Sequence, residues 1–214
     1  MSDHVRAVIL RTRLFSETSL IVHWLTRDEG RISTIARGAQ RPKSSFRGKL
    51  DLMHECDILV RRSRRSELHT LGEARFLRSW PALRLNLALL RQASCAIRWM
   101  EMQTEVDTPI PGLFDLFCSF LDCLEKTRLS TTPLLAFETR FLEILGQPPL
   151  PENLRLSPGG KQLLGGLGSG SWDELTEASR DSKSVDEVQR FLHGFLVYNL
   201  GQVPKGRAAA LEPF

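Results

Sequence analysis

Up to residue 80 the apolar residues fall in five short runs, and beyond it they fall at helical spacing. A chain with that switch is neither all-β nor all-α. Val5 to Leu14, Leu20 to Leu25, Arg31 to Ala36, Leu50 to Arg62 and Glu67 to Leu77 are β-rich and partly alternating. They are separated by Ser16-Glu-Thr-Ser19, by Arg27-Asp-Glu-Gly30 and by two longer basic stretches. Short strands with turn signals at this spacing indicate a small antiparallel barrel or sandwich. After Trp80-Pro81 the period changes. Leu83, Leu87, Leu90, Ala93, Ile97 and Met100 form a helical stripe from Leu83 to Glu105. Leu113 to Thr127 is apolar nearly all round, which predicts a buried central helix. Thr132-Pro133 starts a further helix and Gly146 stops it. Residues 147–170, rich in Pro and Gly, read as an irregular segment with room for a short helix at Lys161 to Leu164. Helices are expected over Trp172 to Ser179 and over Val185 to Leu200, the second opening after Ser184. The expected organisation is thus α+β: a β module over residues 1–80, then a helical domain over residues 81–214.

Charge follows the same boundary. Residues 1–80 hold sixteen Lys and Arg against nine Asp and Glu, whereas residues 81–214 hold thirteen against sixteen. An anionic partner is therefore expected for the first module. Its cations concentrate in Arg37-Gly-Ala-Gln-Arg-Pro-Lys-Ser-Ser-Phe-Arg-Gly-Lys49, a stretch with no acid, and in Arg61, Arg62, Arg64 and Arg65. Gly38, Pro42 and Gly48 break regular structure, so the first cluster is a loop. Guanidinium and ammonium groups on such a loop suit a phosphate backbone, although the same composition also describes a solvated surface loop. The two clusters flank one strand and should lie at its opposite ends. Arg6, Arg11, Arg13, Arg31 and Arg75 could extend the positive surface across the strands. Small barrels of this kind bind single strands with a cationic groove and aromatic platforms. Phe46 and Trp24 are the aromatics available, and each is equally a core residue.

Other chemistry finds no support in the sequence. Cys118 and Cys123 lie about 140° apart on a helix and diverge, and no paired metal-ligand spacing accompanies them. Gly165 to Gly170 lacks the Lys-Ser/Thr of a phosphate-binding loop. No Gly-x-Ser-x-Gly elbow occurs and no histidine has a recognisable partner. No apolar run reaches the roughly 18 residues of a membrane span. Four scattered cysteines in apolar surroundings fit a reduced, cytoplasmic setting. A non-enzymatic protein without metal or cofactor is expected.

Several motifs together resemble the RecO family of bacterial recombination and repair proteins. They are Ala7-Val-Ile-Leu-Arg-Thr-Arg13 with Glu17-Thr-Ser-Leu20, Thr26-x-x-x-Gly30, Ala36-Arg-Gly-Ala-Gln-Arg-Pro-Lys-Ser-Ser-Phe-Arg-Gly48 and Glu67-Leu-His-Thr-Leu-Gly-Glu-Ala74. Ser157-Pro158 with Gly159-Gly160 resembles the family's second conserved stretch. The resemblance implies an oligonucleotide-binding (OB-fold) barrel and a helical domain. It implies binding to single- and double-stranded DNA, strand annealing, and association with the nucleoid. The implied partners are RecR and the C-terminal tail of single-strand-binding protein, and the implied role is to help recombinase replace that protein on gapped DNA. Matched residue by residue, the basic loop carries a DNA-contact role onto Arg37, Arg41, Lys43, Arg47 and Lys49. Phe46 and the Arg61, Arg62, Arg64 and Arg65 cluster complete the expected interface. Many family members hold a four-cysteine zinc site in the segment corresponding to residues 147–180, where this chain has no cysteine. An RNA-binding module of the same barrel type is the alternative function, and an enzyme with a concealed site a further one.

Overall fold

The computed structural model describes residues 4–126, 130–149, 156–178 and 181–212. Five strands, β1 (His4–Leu14), β2 (Leu20–Thr26), β3 (Arg31–Ala36), β4 (Glu55–Arg61) and β5 (Leu68–Arg78), close into a barrel in the order β1-β2-β3-β5-β4. Every pairing is antiparallel except β3 with β5, which run parallel through Ser33–Leu68 and Ile35–Thr70. The expectation of a wholly antiparallel sheet is corrected there. Parallel neighbours need a long crossover, and the basic loop followed by β4 supplies it.

The barrel core follows the period-2 rule. Val5, Ala7 and Ile9 of β1, Leu20, Val22 and Trp24 of β2, and Ile58 and Val60 of β4 point inward. The indole Nε1 of Trp24 donates to Thr34 Oγ1 at 2.8 Å, so its polar atom is satisfied inside the core. Outward residues are buried too: Val8, Ile21, Leu25 and Ile35 expose little surface. The outer face of β2 and β3 is therefore not an open sheet. Across β1, β4 and β5 the wholly buried Glu55 is held between Arg6 and Arg78, one cation from each neighbouring strand. Two charge-assisted partners satisfy a carboxylate that would be costly to bury alone.

The helices are α1 (Pro81–Leu85), α2 (Leu87–Gln103), α3 (Leu113–Lys126), α4 (Thr132–Ile144), α5 (Pro158–Ser169), α6 (Trp172–Ala178), α7 (Ser182–Leu200) and α8 (Arg207–Ala210). The stripe expected as one helix from Leu83 is broken at Asn86, whose Oδ1 accepts from the backbone N–H of Ala88 and caps α2. In the central helix, Phe120 packs on Phe137 of α4 with centroids 4.9 Å apart. Thr127, Ser179 and residues 150–155, which bear on three of the expected boundaries, lie outside the described residues.

The segment expected to be irregular over 147–170 instead contains α5. Ser157 Oγ caps it by accepting from Gly160 N, and Pro158 sits in its first turn. Its glycines allow close neighbours: a Cβ on Gly160 would come within 2.5 Å of Glu187 Oε2, and one on Gly168 within 2.6 Å of Glu143 Oε1. Helix α7 starts earlier than expected because Asp181, not Ser184, is its cap and accepts from Lys183 N.

The chain divides into two compact units, residues 1–80 with Thr104–Phe114, and Pro81–Gln103 with Asp115–Phe214. A single boundary at Trp80 thus misassigns the connector 104–114. Asp107 N donates to Arg31 O at 2.8 Å, Arg31 Nε donates to Thr104 Oγ1 at 2.6 Å, and Arg31 bridges to Val106 in parallel. Gly30, at φ +74°, lets the turn between β2 and β3 approach the Thr108 carbonyl. No helix among the described residues is long and apolar enough to cross a membrane.

Candidate nucleic-acid interface

Residues 37–54 leave β3 as a succession of turns and do not extend as a strand. Arg41 N, Ser44 N, Arg47 N and Lys49 N each donate to a carbonyl three residues earlier, at 3.0–3.2 Å. Gly38 and Gly48 take positive φ, +69° and +72°, which the turns require. This internal bonding occupies the backbone and turns the side chains of Arg37, Arg41, Lys43 and Arg47 to solvent, with Lys49 half-buried. Among the described residues no ion pair engages Arg37, Arg41, Lys43 or Lys49. Arg47 Nη1 donates to Pro42 O at 3.3 Å and stiffens the loop.

Phe46 is 7% exposed and belongs to the barrel core. Its burial favours the second of the two readings that the sequence leaves open, an anchor of the loop to the barrel in place of a stacking platform. The reason is local: between Ser45 and Arg47, both exposed, it is the residue the turn directs inward, over Leu20. Trp24 is likewise core. A cleft of about 450 Å³ is lined by Leu20, Ala39, Phe46 and Leu50, by Arg41 and Arg47, and by one acid, Asp51. Apolar side chains beside two guanidinium groups suit a phosphate with an attached flat, weakly polar group.

The second cluster lies at the other end of β4, in the turn to β5. Arg61, Arg64 and Arg65 are exposed. Arg62 differs from them: it is paired with Glu29, and its Nη1 with Asp107 Oδ1 at 3.1 Å. Asp107 also faces His69 Nε2 at 3.3 Å. Arg62 therefore ties the turn to its neighbours, a role invisible to local pattern because both acids are remote in the chain.

The flanking strands add positive field unevenly. Arg6 is held by Glu55 and Arg31 by Thr104, whereas Arg11, Arg13 and Arg75 are exposed. The field registers at His23, whose pKa is pushed down to about 4, first by burial and then by Arg11, Arg13 and Arg31. Its Nδ1 lies 2.9 Å from Ser33 Oγ, while its Nε2 is buried without a partner. A neutral imidazole tolerates that environment better than a charged one.

Sequence reasoning missed two exposed aromatics of the barrel, Phe15 and Phe76 of β5. Phe15, in the turn between β1 and β2, is 57% exposed, beside a still more open Leu14. Its signal was available: it follows the last alternating position of β1 and precedes Ser-Glu-Thr-Ser, so no strand pairing buries it. That turn is joined to the basic loop by Gln40 N donating to Thr18 O at 3.0 Å and Gly38 N donating to Ser19 Oγ at 3.3 Å.

The four cysteines are buried and form no disulfide, and burial pushes the Cys56 thiol up to about 12. Among the described residues no three His, Cys, Asp or Glu side chains gather where a metal could be held.

Residues 1–80 match the family model described as recombination protein O N terminal. The chain is also 36% identical over 143 residues to a DNA repair protein RecO of Rhodopirellula baltica, covering 67% of this chain and 53% of the relative. It is 30% identical over 141 residues to the protein of that name from Syntrophus aciditrophicus, covering 66% and 54%. With that of Salinibacter ruber the figures are 29% over 152 residues, 71% and 58%. The aligned stretches are longer than residues 1–80, so the likeness continues into the helices. The chain spans a little over half the length of these relatives.

Proposed function

We propose that this chain is a non-enzymatic DNA-binding mediator of recombinational repair, a reading supported by the match of its first 80 residues to the recombination protein O N-terminal model. In this reading the barrel binds single- and double-stranded DNA through phosphate contacts and anneals complementary strands. With RecR it helps load recombinase onto strands covered by single-strand-binding protein. The observation that carries the reading is the acid-free loop 37–49, whose side chains of Arg37, Arg41, Lys43 and Arg47 all face solvent. Such cations bind by releasing condensed counterions, with little base readout. Annealing needs no catalytic group, since neutralised backbones approach each other without one. Arg61, Arg64 and Arg65 add a second contact. Arg62 contributes less, because Glu29 and Asp107 already occupy it.

A partner contact is supported in the helical unit. A groove of about 280 Å³ beside α2 and α8 has Leu87, Leu90 and Ala209 along it and Arg91, Arg98 and Lys205 at its edges. An acidic, apolar tail such as that of single-strand-binding protein suits both features.

The test is a salt titration of oligonucleotide binding. Changing Arg37, Arg41, Lys43 and Arg47 together to Ala should weaken single-strand binding and make its salt dependence shallower, by up to about 0.7 in log–log slope per lost contact. An unchanged slope and affinity would sink the assignment. Matched RNA serves as the control, and tighter binding to RNA than to DNA would favour the RNA-binding alternative.

A further inference from the structure

Charge alone does not distinguish a single strand from a duplex, since both present phosphates. An exposed aromatic ring does, because only an unpaired base can lie on it. We infer that Phe15 is a base-stacking platform, placed beside the basic loop so that the site prefers single-stranded nucleic acid. The inference rests on the proposed binding role of that loop.

Three observations carry it. The ring is held outward by a closed turn: Phe15 N donates to Ser19 O at 2.9 Å, and Ser19 N to Ser16 O at 3.3 Å. It is therefore presented on a fixed support. The turn is hydrogen-bonded to the basic loop through Thr18 and Ser19, so a strand whose phosphates follow Arg37 and Arg41 passes this turn. Arg13, exposed two residues before the ring, adds a further cation. Finally, the usual alternative surface is closed. Barrels of this type read oligonucleotides on the face of strands 2 and 3 and with the loop between strands 1 and 2. Here Ile21 and Leu25 on that face are buried and His23 and Ser33 half-buried, whereas Phe15 in the loop and Leu14 at the end of β1 are open. An exposed pair of large apolar residues beside cations fits a base, which offers a π-face and carries its own phosphate.

The full chain with Phe15→Ala or Phe15→Trp tests this by fluorescence anisotropy, with an oligothymidine and a duplex of equal length at several salt concentrations. Phe15→Ala should lose roughly 5- to 150-fold in affinity for oligothymidine, the range of one stacked base. Its salt slope should match that of the unsubstituted chain, and its duplex affinity should stay within about twofold. Phe15→Trp should bind as tightly as the parent and add indole fluorescence that oligothymidine quenches. If the unsubstituted chain binds and Phe15→Ala binds equally well, or loses single strand and duplex alike, the inference fails while the loop's role stands. If the unsubstituted chain binds neither oligonucleotide, the loop's role fails and the inference with it.

Discussion

Glu138 is buried in the helical unit and takes three hydrogen bonds. Arg207 Nε and Nη2 donate to its two oxygens at 2.6 and 2.7 Å, and Trp99 Nε1 adds a third at 3.0 Å. Breaking such a pair leaves an uncompensated charge. Arg207→Ala is therefore expected to lower stability by about 3–5 kcal/mol, read from urea midpoints. Replacing both partners, as Glu138→Leu with Arg207→Met, should recover most of that loss. A double variant as unstable as the single one would show that packing around Arg207, not its charge, is at stake. His23 gives a pH-dependent counterpart. With its folded pKa near 4 against 6.5 when unfolded, the unfolded chain binds the proton more readily below about pH 6.5. Stability should therefore fall as pH drops from about 6.5 to about 4, and His23→Gln should flatten that limb. A proton NMR titration of the His23 ring with a midpoint near 6.5 would contradict the assignment.

Among the elements, the strands were legible because alternation survives in each, and the helices α3 and α4 because their apolar faces are long. Helix α5 was not. Eight of its twelve positions are glycine or leucine, five of them glycine, and glycine costs about 1 kcal/mol relative to alanine in a helix. What permits it is tertiary: the absent side chains of Gly159, Gly160 and Gly168 leave room for Ser184, Glu187 and Glu143. The break at Asn86 was hidden for the opposite reason, since the apolar spacing runs straight through a capping residue. In the turn between β2 and β3, Gly30→Ala faces both a left-handed φ and a Cβ placed 2.1 Å from Thr108 O. It should cost more than about 1–2 kcal/mol, the left-handed penalty alone, as measured by chemical denaturation. A smaller loss would mean that residues 108–109 yield readily.

At the scale of the whole molecule, the expected boundary at Trp80 failed because residues 104–114 return to the barrel. No local pattern announces this; Arg31 and Gly30 acquire their partners only in the folded chain. A fragment ending at residue 80 should therefore be less protected than the intact protein, with faster hydrogen exchange of β2 and β3 amides. Equal exchange would leave the connector without a stabilising role. The candidate interface was legible as charge, since cations without acids are visible in any sequence. Which of them are free, and whether Phe15 or Phe46 faces water, depended on turn geometry and remote acids.

The placement of the two cation clusters has a consequence for how many strands the barrel can engage. They sit at opposite ends of β4, whose 7 residues span roughly 20 Å at about 3.3 Å each. Screening at physiological salt acts over about 8 Å, so each cluster is nearly blind to the other. A phosphate chain that saturates one leaves the other's attraction almost undiminished. On the proposed reading the barrel is ditopic: a second anion would meet close to the same pull as the first, and one small domain would keep two backbones tethered within a duplex width of each other.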